Sequence, residues 1–338
     1  MKKLLVLSAL AAMLASGTAL ADTSGKKIAF SNNYAGNSWR QAMLKSYDAV
    51  TKKAVADGVV AAADVFTTAD QEVPTQAAQI QNLILQGYDA IVINASSPDA
   101  LNGAVKQACD AGIVVVSFDG IVTEPCAYRV VVDFEDMGRQ EVEQMKAFHP
   151  DGGNLLEIRG LAGTSIDEAI HKGILAGVEA NPQFKIVNSV TGNWDQTTAQ
   201  KAVATVLPSL PDIVGVVTQG GDGYGTAQAF AAAGKPRPTI IMGNRQDELQ
   251  WWKEQKEKDG YKTWSASIAP GVSTLAFWVA QQVLDGRTDV PHDLLVPYLA
   301  FTQDDFEAAL PNIEVGGVAS AEYTQEDAVK AIEANIKK

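Results

Sequence analysis

IAFSNNYAGNSWR, residues 28–40, opens on three apolar residues suited to a buried strand, Ile28, Ala29 and Phe30. It breaks into Ser31, Asn32, Asn33, Gly36, Asn37 and Ser38. It closes on Trp39 and Arg40, where Met43, Leu44, Tyr47 and Val50 take up helical spacing. A strand therefore hands over to a helix through a loop dense in amides and hydroxyls and carrying one large aromatic. In open α/β sheets, ligands sit beyond the carboxyl ends of the strands, where such loops lie. Amides donate and accept, and an indole covers C–H faces, so the loop suits a neutral, hydroxyl-rich molecule. Alone, the stretch favours the plainer reading of an Asn-rich turn with a helix cap. The rest of the chain decides between them.

The same unit recurs. Apolar runs at 59–66, 90–93, 113–118 and 128–132 alternate with helical patterns at 39–56, 74–86 and 99–111. The run at 90–93 is continuous, as expected where both faces of a sheet are covered. The runs end in Thr67-Thr68, Asn94, Asp119 and Asp133. Beyond Asp133 the pattern starts again, with strands expected at 154–158, 184–190, 213–218, 239–242 and 262–267. Their ends run into Gly160 to Ser165, Thr191 to Asp195, Gln219 to Gly223, and Asn244-Arg245. The fold class is α/β, with two doubly wound parallel-sheet lobes. No Ser/Gly-rich linker separates them, so the crossings should be short and strand-like, as in a hinge. The acidic stretch after Asp304, with a helical end at 325–336, reads as a surface appendage.

Lys2 and Lys3, an apolar run over 4–14 and the Ala19-Leu20-Ala21 site form a secretory leader, expected over residues 1–21. The alternative is an uncleaved anchor, for which the run is short. The formal net charge of −13 across 338 residues opposes binding to nucleic acid or anionic lipid. Cys109 and Cys126 in an exported chain invite one disulfide, with two buried thiols as the alternative. No His or second Cys stands at metal-ligand spacing from either, so neither a metal nor a cofactor is expected. His149, His171 and His292 are scattered.

The leader, the opening IAFSNNYAGNSW, the run GYDAIVINASSPDAL, the turn AGIVVVSFD and the block GLAGTS resemble the periplasmic sugar-binding proteins of ABC transporters, the ribose-type branch above all. The resemblance covers about residues 26–282. It implies a type I periplasmic binding protein fold, with three hinge segments and a ligand cleft between the lobes. The first lobe would comprise 24–132 plus 270–295, and the second 134–268 plus 296–338. It implies that Asn33, Asn37, Trp39 and Arg40 contact sugar from the first loop, with Arg40 where a second aromatic is usual. Asn94 matches a sugar-binding Asn, and Asp119 matches the carboxylate that accepts hydroxyl hydrogens. Gly120 stands where an Arg usually follows. In the second lobe Glu168 takes the place of an expected Arg, and Trp194 matches an aromatic. Gln219 or Asp222 falls at an Asn/Asp position, Asn244 matches an Asp with Arg245 beside it, and Ile268 replaces a late Gln.

The function so implied is capture of a small neutral sugar or polyol by a monomeric periplasmic protein that delivers it to an ABC permease. An alternative is a periplasmic sensor presenting its closed form to a membrane receptor or kinase. A glycosidase would need paired carboxylates across the cleft, drawn from Asp119 with Asp222 or Glu168. The cleft rim is instead dominated by amides, and no nucleophile elbow, metal motif or phosphate loop is present. A sugar-responsive repressor would need a DNA-binding helix-turn-helix where the leader stands.

Overall fold

The computed structural model describes residues 22–69 and 72–336; the leader expected over residues 1–21 lies outside the described residues. The first half alternates β1 (Lys27–Asn32), α1 (Ser38–Ala56), β2 (Ala62–Thr67), α2 (Val73–Leu85), β3 (Ala90–Asn94), α3 (Asn102–Asp110), β4 (Val114–Phe118) and β5 (Tyr128–Val132). Its central strands are apolar throughout because helices cover both faces. Ile28, Ala29, Phe30 and Ala90 through Ile93 have no exposed surface.

The second half begins with α4 (Phe134–Phe148) and continues through β6 (Gly153–Arg159), α5 (Ser165–Ala180), β7 (Phe184–Thr191), α6 (Gln196–Val206), β8 (Gly215–Val217), α7 (Gly223–Ala232), β9 (Thr239–Ile240) and α8 (Gln246–Asp259). Then come β10 (Ser265–Ser267), α9 (Val272–Leu284), β11 (Asp293–Val296), β12 (Leu299–Phe301), α10 (Phe306–Ala309) and α11 (Gln325–Ile336). Two parallel sheets result. One has the order β11-β5-β4-β3-β1-β2 and the other β7-β6-β8-β9, while β10 pairs antiparallel with β12.

Sheet membership shows where the chain changes lobes. It leaves the first sheet after β5, returns after β10 and leaves again between β11 and β12. The tail then adds a fourth passage. Segment 317–319 is tied to the second lobe, where Gln246 N–H donates to Gly317 O and Ala319 N–H to Asn244 O. Helix α11 lies against α9 and β11 of the first lobe. The sequence reading placed 296–338 wholly in the second lobe and took the tail for an appendage. The structure corrects both, because Ala328 and Ile332 form an apolar stripe that is fully buried. Asn335 also completes the open edge of β11: its Oδ1 accepts from Leu295 N–H at 3.0 Å and its Nδ2 donates to Leu295 O at 3.1 Å.

Helices α4 and α5 approach backbone to backbone. A Cβ on Gly138 would lie 2.2 Å from Ile170 O, and one on Gly173 would lie 2.0 Å from Glu135 O. Only glycine permits that spacing, and the contact sets the start of α4, at Glu135, against the middle of α5, at Gly173.

Cys109 and Cys126 are bonded, closing a loop with a sequence separation of 17 between α3 and the start of β5. Replacing both by Ser should lower unfolding free energy by about 3 kcal/mol, the loop-closure value for this span, while leaving the cleft intact. Chemical denaturation of the double variant checks it. A change well under 1 kcal/mol would mean that the loop is already ordered in the unfolded chain.

Candidate functional site

Asn37 caps α1, its Oδ1 accepting from Arg40 N–H at 2.8 Å, and so sets the first turn of the helix at the end of β1. That turn carries Trp39 and Arg40. The Trp39 indole N–H donates to Ile268 O at 2.7 Å, which ties the first lobe to the segment leaving β10. The Arg40 guanidinium lies over the Trp39 ring and pairs with Asp119, Nη2 to Oδ2, at 3.1 Å. Both side chains of this pair are buried, at 7% and 5% exposure, so the charges are held by each other rather than by water.

Asp119 follows β4 in the left-handed region, at φ 56°. Asn94, at the end of β3, holds it there. Asn94 Nδ2 donates to Asp119 Oδ2 at 2.9 Å, and Asn94 Oδ1 accepts from Gly120 N–H at 3.2 Å. The turn is so tight that a Cβ on Gly120 would sit 2.4 Å from Ala95 O. No arginine fits at position 120, and Arg40 brings a guanidinium to the same carboxylate from the neighbouring helix. Burial pushes the Asp119 carboxyl up, and Arg40 draws it part of the way back.

In the second lobe, Asn193 and Trp194 both adopt left-handed backbone, at φ 55° and 53°. Arg245 secures that turn: Nη2 donates to Trp194 O and Nη1 to Gly221 O, each at 2.6 Å. The indole then lies on the end of β6, where a Cβ on Gly160 would be 2.3 Å from it. Gln219 is anchored by Nε2, which donates to Asp167 O at 3.1 Å and to Asp167 Oδ1 at 2.9 Å. Its Oε1 is buried with no hydrogen-bond partner among the described residues.

One cavity between the lobes gathers these groups. It is lined by Asn37, Trp39, Arg40 and Asp119 from the first lobe, and by Trp194, Gln219, Asn244 and Arg245 from the second. It leaves about 60 Å³ for the centres of water-sized spheres, several times what one water needs. Gly220 and Gly221 beside Gln219, with Phe134, Met137, Ile166, Ile170, Ser267, Ile268 and Val318, complete the lining.

The other expected contacts, Asn244 apart, lie outside the cavity lining. Asn94 stands behind Asp119, and Asn33 turns Nδ2 to Ala95 O at 3.2 Å; neither lines the cavity. Asn244 lines it but spends its amide on protein, Nδ2 donating to Leu299 O and Oδ1 accepting from Ser265 Oγ, both at 2.7 Å. Glu168 is not in the lining: it is exposed and pairs with Arg159 at 2.9 Å. Two residues to either side, Ile166 and Ile170 line the cavity instead. Asp222 lies behind the wall, where a Cβ on Gly192 would be 2.7 Å from its Oδ2. The apolar lining of α4 and α5 was missed because isoleucines four apart on a helix read first as core. Val318 carries no sequence signal of any kind.

Residues 28–288 match the model of the periplasmic binding protein domain family. A xylitol-binding protein from Mycolicibacterium smegmatis is 29% identical over 258 residues, covering 74% of this chain and 71% of that one. A ribose import binding protein from Salmonella typhimurium is 26% identical over 166 residues, covering 48% and 56%. The crystal structure of an ABC transporter solute binding protein from Thermobispora bispora superposes with a TM-score of 0.86 at 34% identity, covering 92% of this chain and 96% of that one. The chain belongs to the periplasmic binding protein family. It is therefore a binding protein and not an enzyme. Among the described residues no helix is long and apolar enough to cross a membrane.

The position of Asp222 generates a pH dependence. Neither carboxyl oxygen has a hydrogen-bond partner among the described residues. Burial pushes its pKa well above the ordinary 3.8, Arg245 pulls it back, and Glu248 and Asp195 add to the rise. A raised folded pKa means that the native state keeps the proton after the unfolded chain has released it. The stability this group contributes is thus full below the unfolded value and lost as pH climbs through the folded one. Asp222→Asn removes that loss. In urea titrations the variant should match the parent near about pH 4 and exceed it increasingly toward about pH 8. A variant weaker than the parent at high pH would mean that Asp222 is ionised and held by Arg245.

Proposed function

We propose that this protein is the periplasmic solute-binding component of an ABC importer, which closes its two lobes on a small neutral sugar or polyol and presents that closed form to the permease. The observation that carries the reading is a single cavity built from both lobes, in which a buried carboxylate, a buried amide acceptor and two indoles meet. Sugar hydroxyls donate to Asp119 and to Gln219 Oε1, Arg40 donates to ring or hydroxyl oxygens, and the faces of Trp39 and Trp194 cover C–H surface. The similar proteins named for xylitol and ribose support a neutral, polyhydroxylated ligand. The leader expected over residues 1–21 supports export with cleavage after Ala21, and the protein acts as a monomer.

Closure follows from contacts made by both lobes at once. A ligand that touched one lobe equally in the open and closed forms would shift nothing, whereas one held between Asp119 and Gln219 favours the closed form by its second set of bonds.

The test is a thermal-shift panel of pentoses, hexoses and linear polyols on protein stripped of ligand by unfolding and refolding. A ligand at about a hundred times its dissociation constant should add about 2.7 kcal/mol of stability. Asp119→Asn leaves Arg40 without its buried counter-charge, so it should lower the unliganded melting temperature and, measured from its own baseline, lose most of that shift. A panel in which no neutral sugar or polyol raises the melting temperature would overturn the proposal.

A further inference from the structure

The cavity lining is chemically uneven. Helices α4 and α5 contribute Phe134, Met137, Ile166 and Ile170, exposed by 8%, 1%, 6% and 1%, and no hydrogen-bonding side chain from either helix joins them. The polar residues between the two isoleucines face away. Asp167 is spent on Arg159, on Gly160 N–H and on Gln219, and Glu168 reaches solvent. The wall is also stiff, because Gly138 and Gly173 lock the two helices at backbone contact. Donors and acceptors come from other elements: Asp119, Arg40 and Gln219, the last with its acceptor oxygen buried and unused.

A hydroxyl turned toward the wall of α4 and α5 would lose its water and find no partner, at a cost that a methyl group in the same place avoids. Resting on the sugar-binding reading above, we propose that the ligand is a methyl-ended deoxy sugar, with its hydroxyls on Asp119, Arg40 and Gln219 and its methyl group against Met137, Ile166 and Ile170. The wall then acts as the specificity element. It admits a carbon terminus and rejects the terminal alcohol of the parent sugar.

The experiment is calorimetric titration of ligand-stripped protein with matched pairs differing only in a terminal methyl for a hydroxymethyl group: D-fucose against D-galactose, and L-rhamnose against L-mannose, beside the pentoses and linear polyols. In the pair that binds, the deoxy member should bind about ten- to a hundredfold more tightly. Ile170→Gln, which puts an amide of similar size into the wall, should reduce that ratio by about tenfold. Equal or reversed affinities within the binding pair overturn the inference. So does binding confined to sugars or polyols without a methyl group; both results leave the sugar-binding reading standing. Absence of binding by every neutral sugar and polyol overturns that reading and this inference together.

Discussion

Parallel pairing gives each sheet a direction. In the six-stranded and four-stranded sheets every neighbour runs the same way, so all carboxyl ends gather on one edge. Most strands then need a helical crossover to return to the opposite edge, β4 to β5 being joined by an irregular loop; the helices cover both faces and confine polar residues to the strand ends. The chemistry of the cleft follows from that confinement. Asn94, Asp119, Gln219 and Asn244 are polar and buried because they stand where ladders stop and backbone groups still need partners. Two such edges turned toward each other form a cavity that neither sheet could enclose alone.

The side chains that face the cavity are set by residues that do not. Asn94 holds Asp119 in a left-handed turn, Asp167 fixes which end of the Gln219 amide is the acceptor, and Arg245 secures the backbone on which Trp194 rides. Gly120 and Gly160 act by having no side chain, letting one strand end come within contact of the next. Arg40 takes the part that an arginine at position 120 could not, since its helix brings it to the same carboxylate without crowding the turn. The site tolerates such an exchange because a guanidinium is recognised by where its plane and charge arrive rather than by where its Cα stands.

The architecture was legible because continuous apolar runs with polar ends are what a covered parallel strand requires, and the chain shows them in order from Ile28 to Ser267. The aromatic and acidic residues at those ends were legible for the same reason: Trp39, Asp119 and Trp194 all reach the cavity. Spacing alone did not resolve which residues at a helix start turn inward. At 100° per residue, Glu168 and its neighbours Ile166 and Ile170 lie on different faces, and only the packing of α5 on α4 decides which face the cleft receives. Amides carried a second ambiguity, since Asn33, Asn94 and Asn244 bond to protein as readily as to a ligand. The course of the tail was hidden for a third reason. A short amphipathic helix such as α11 advertises an apolar stripe but not which lobe will cover it.

The charges of the site argue for how it discriminates. Burial raises Asp119, Asp222 and Glu248, and in each case a neighbouring arginine lowers the group again: Arg40 for the first, Arg245 for the other two. The guanidinium of Arg40 is thus matched by Asp119, and that of Arg245 by two carbonyl oxygens with carboxyls close behind. An anionic ligand would have to draw an arginine away from a buried carboxyl group and leave that group desolvated beside a second negative charge, an exchange that costs more than it returns. A cationic ligand would meet the same guanidinium groups. Affinity in this cleft must then come from neutral hydrogen bonds and apolar contact, whose strength depends on where each hydroxyl of the ligand points. A hydroxyl aimed at Asp119 gains a charge-assisted bond, whereas one aimed at Ile170 loses its water for nothing. The site therefore reads the pattern of oxygen around a small carbon skeleton, and it reads absence of oxygen as readily as presence.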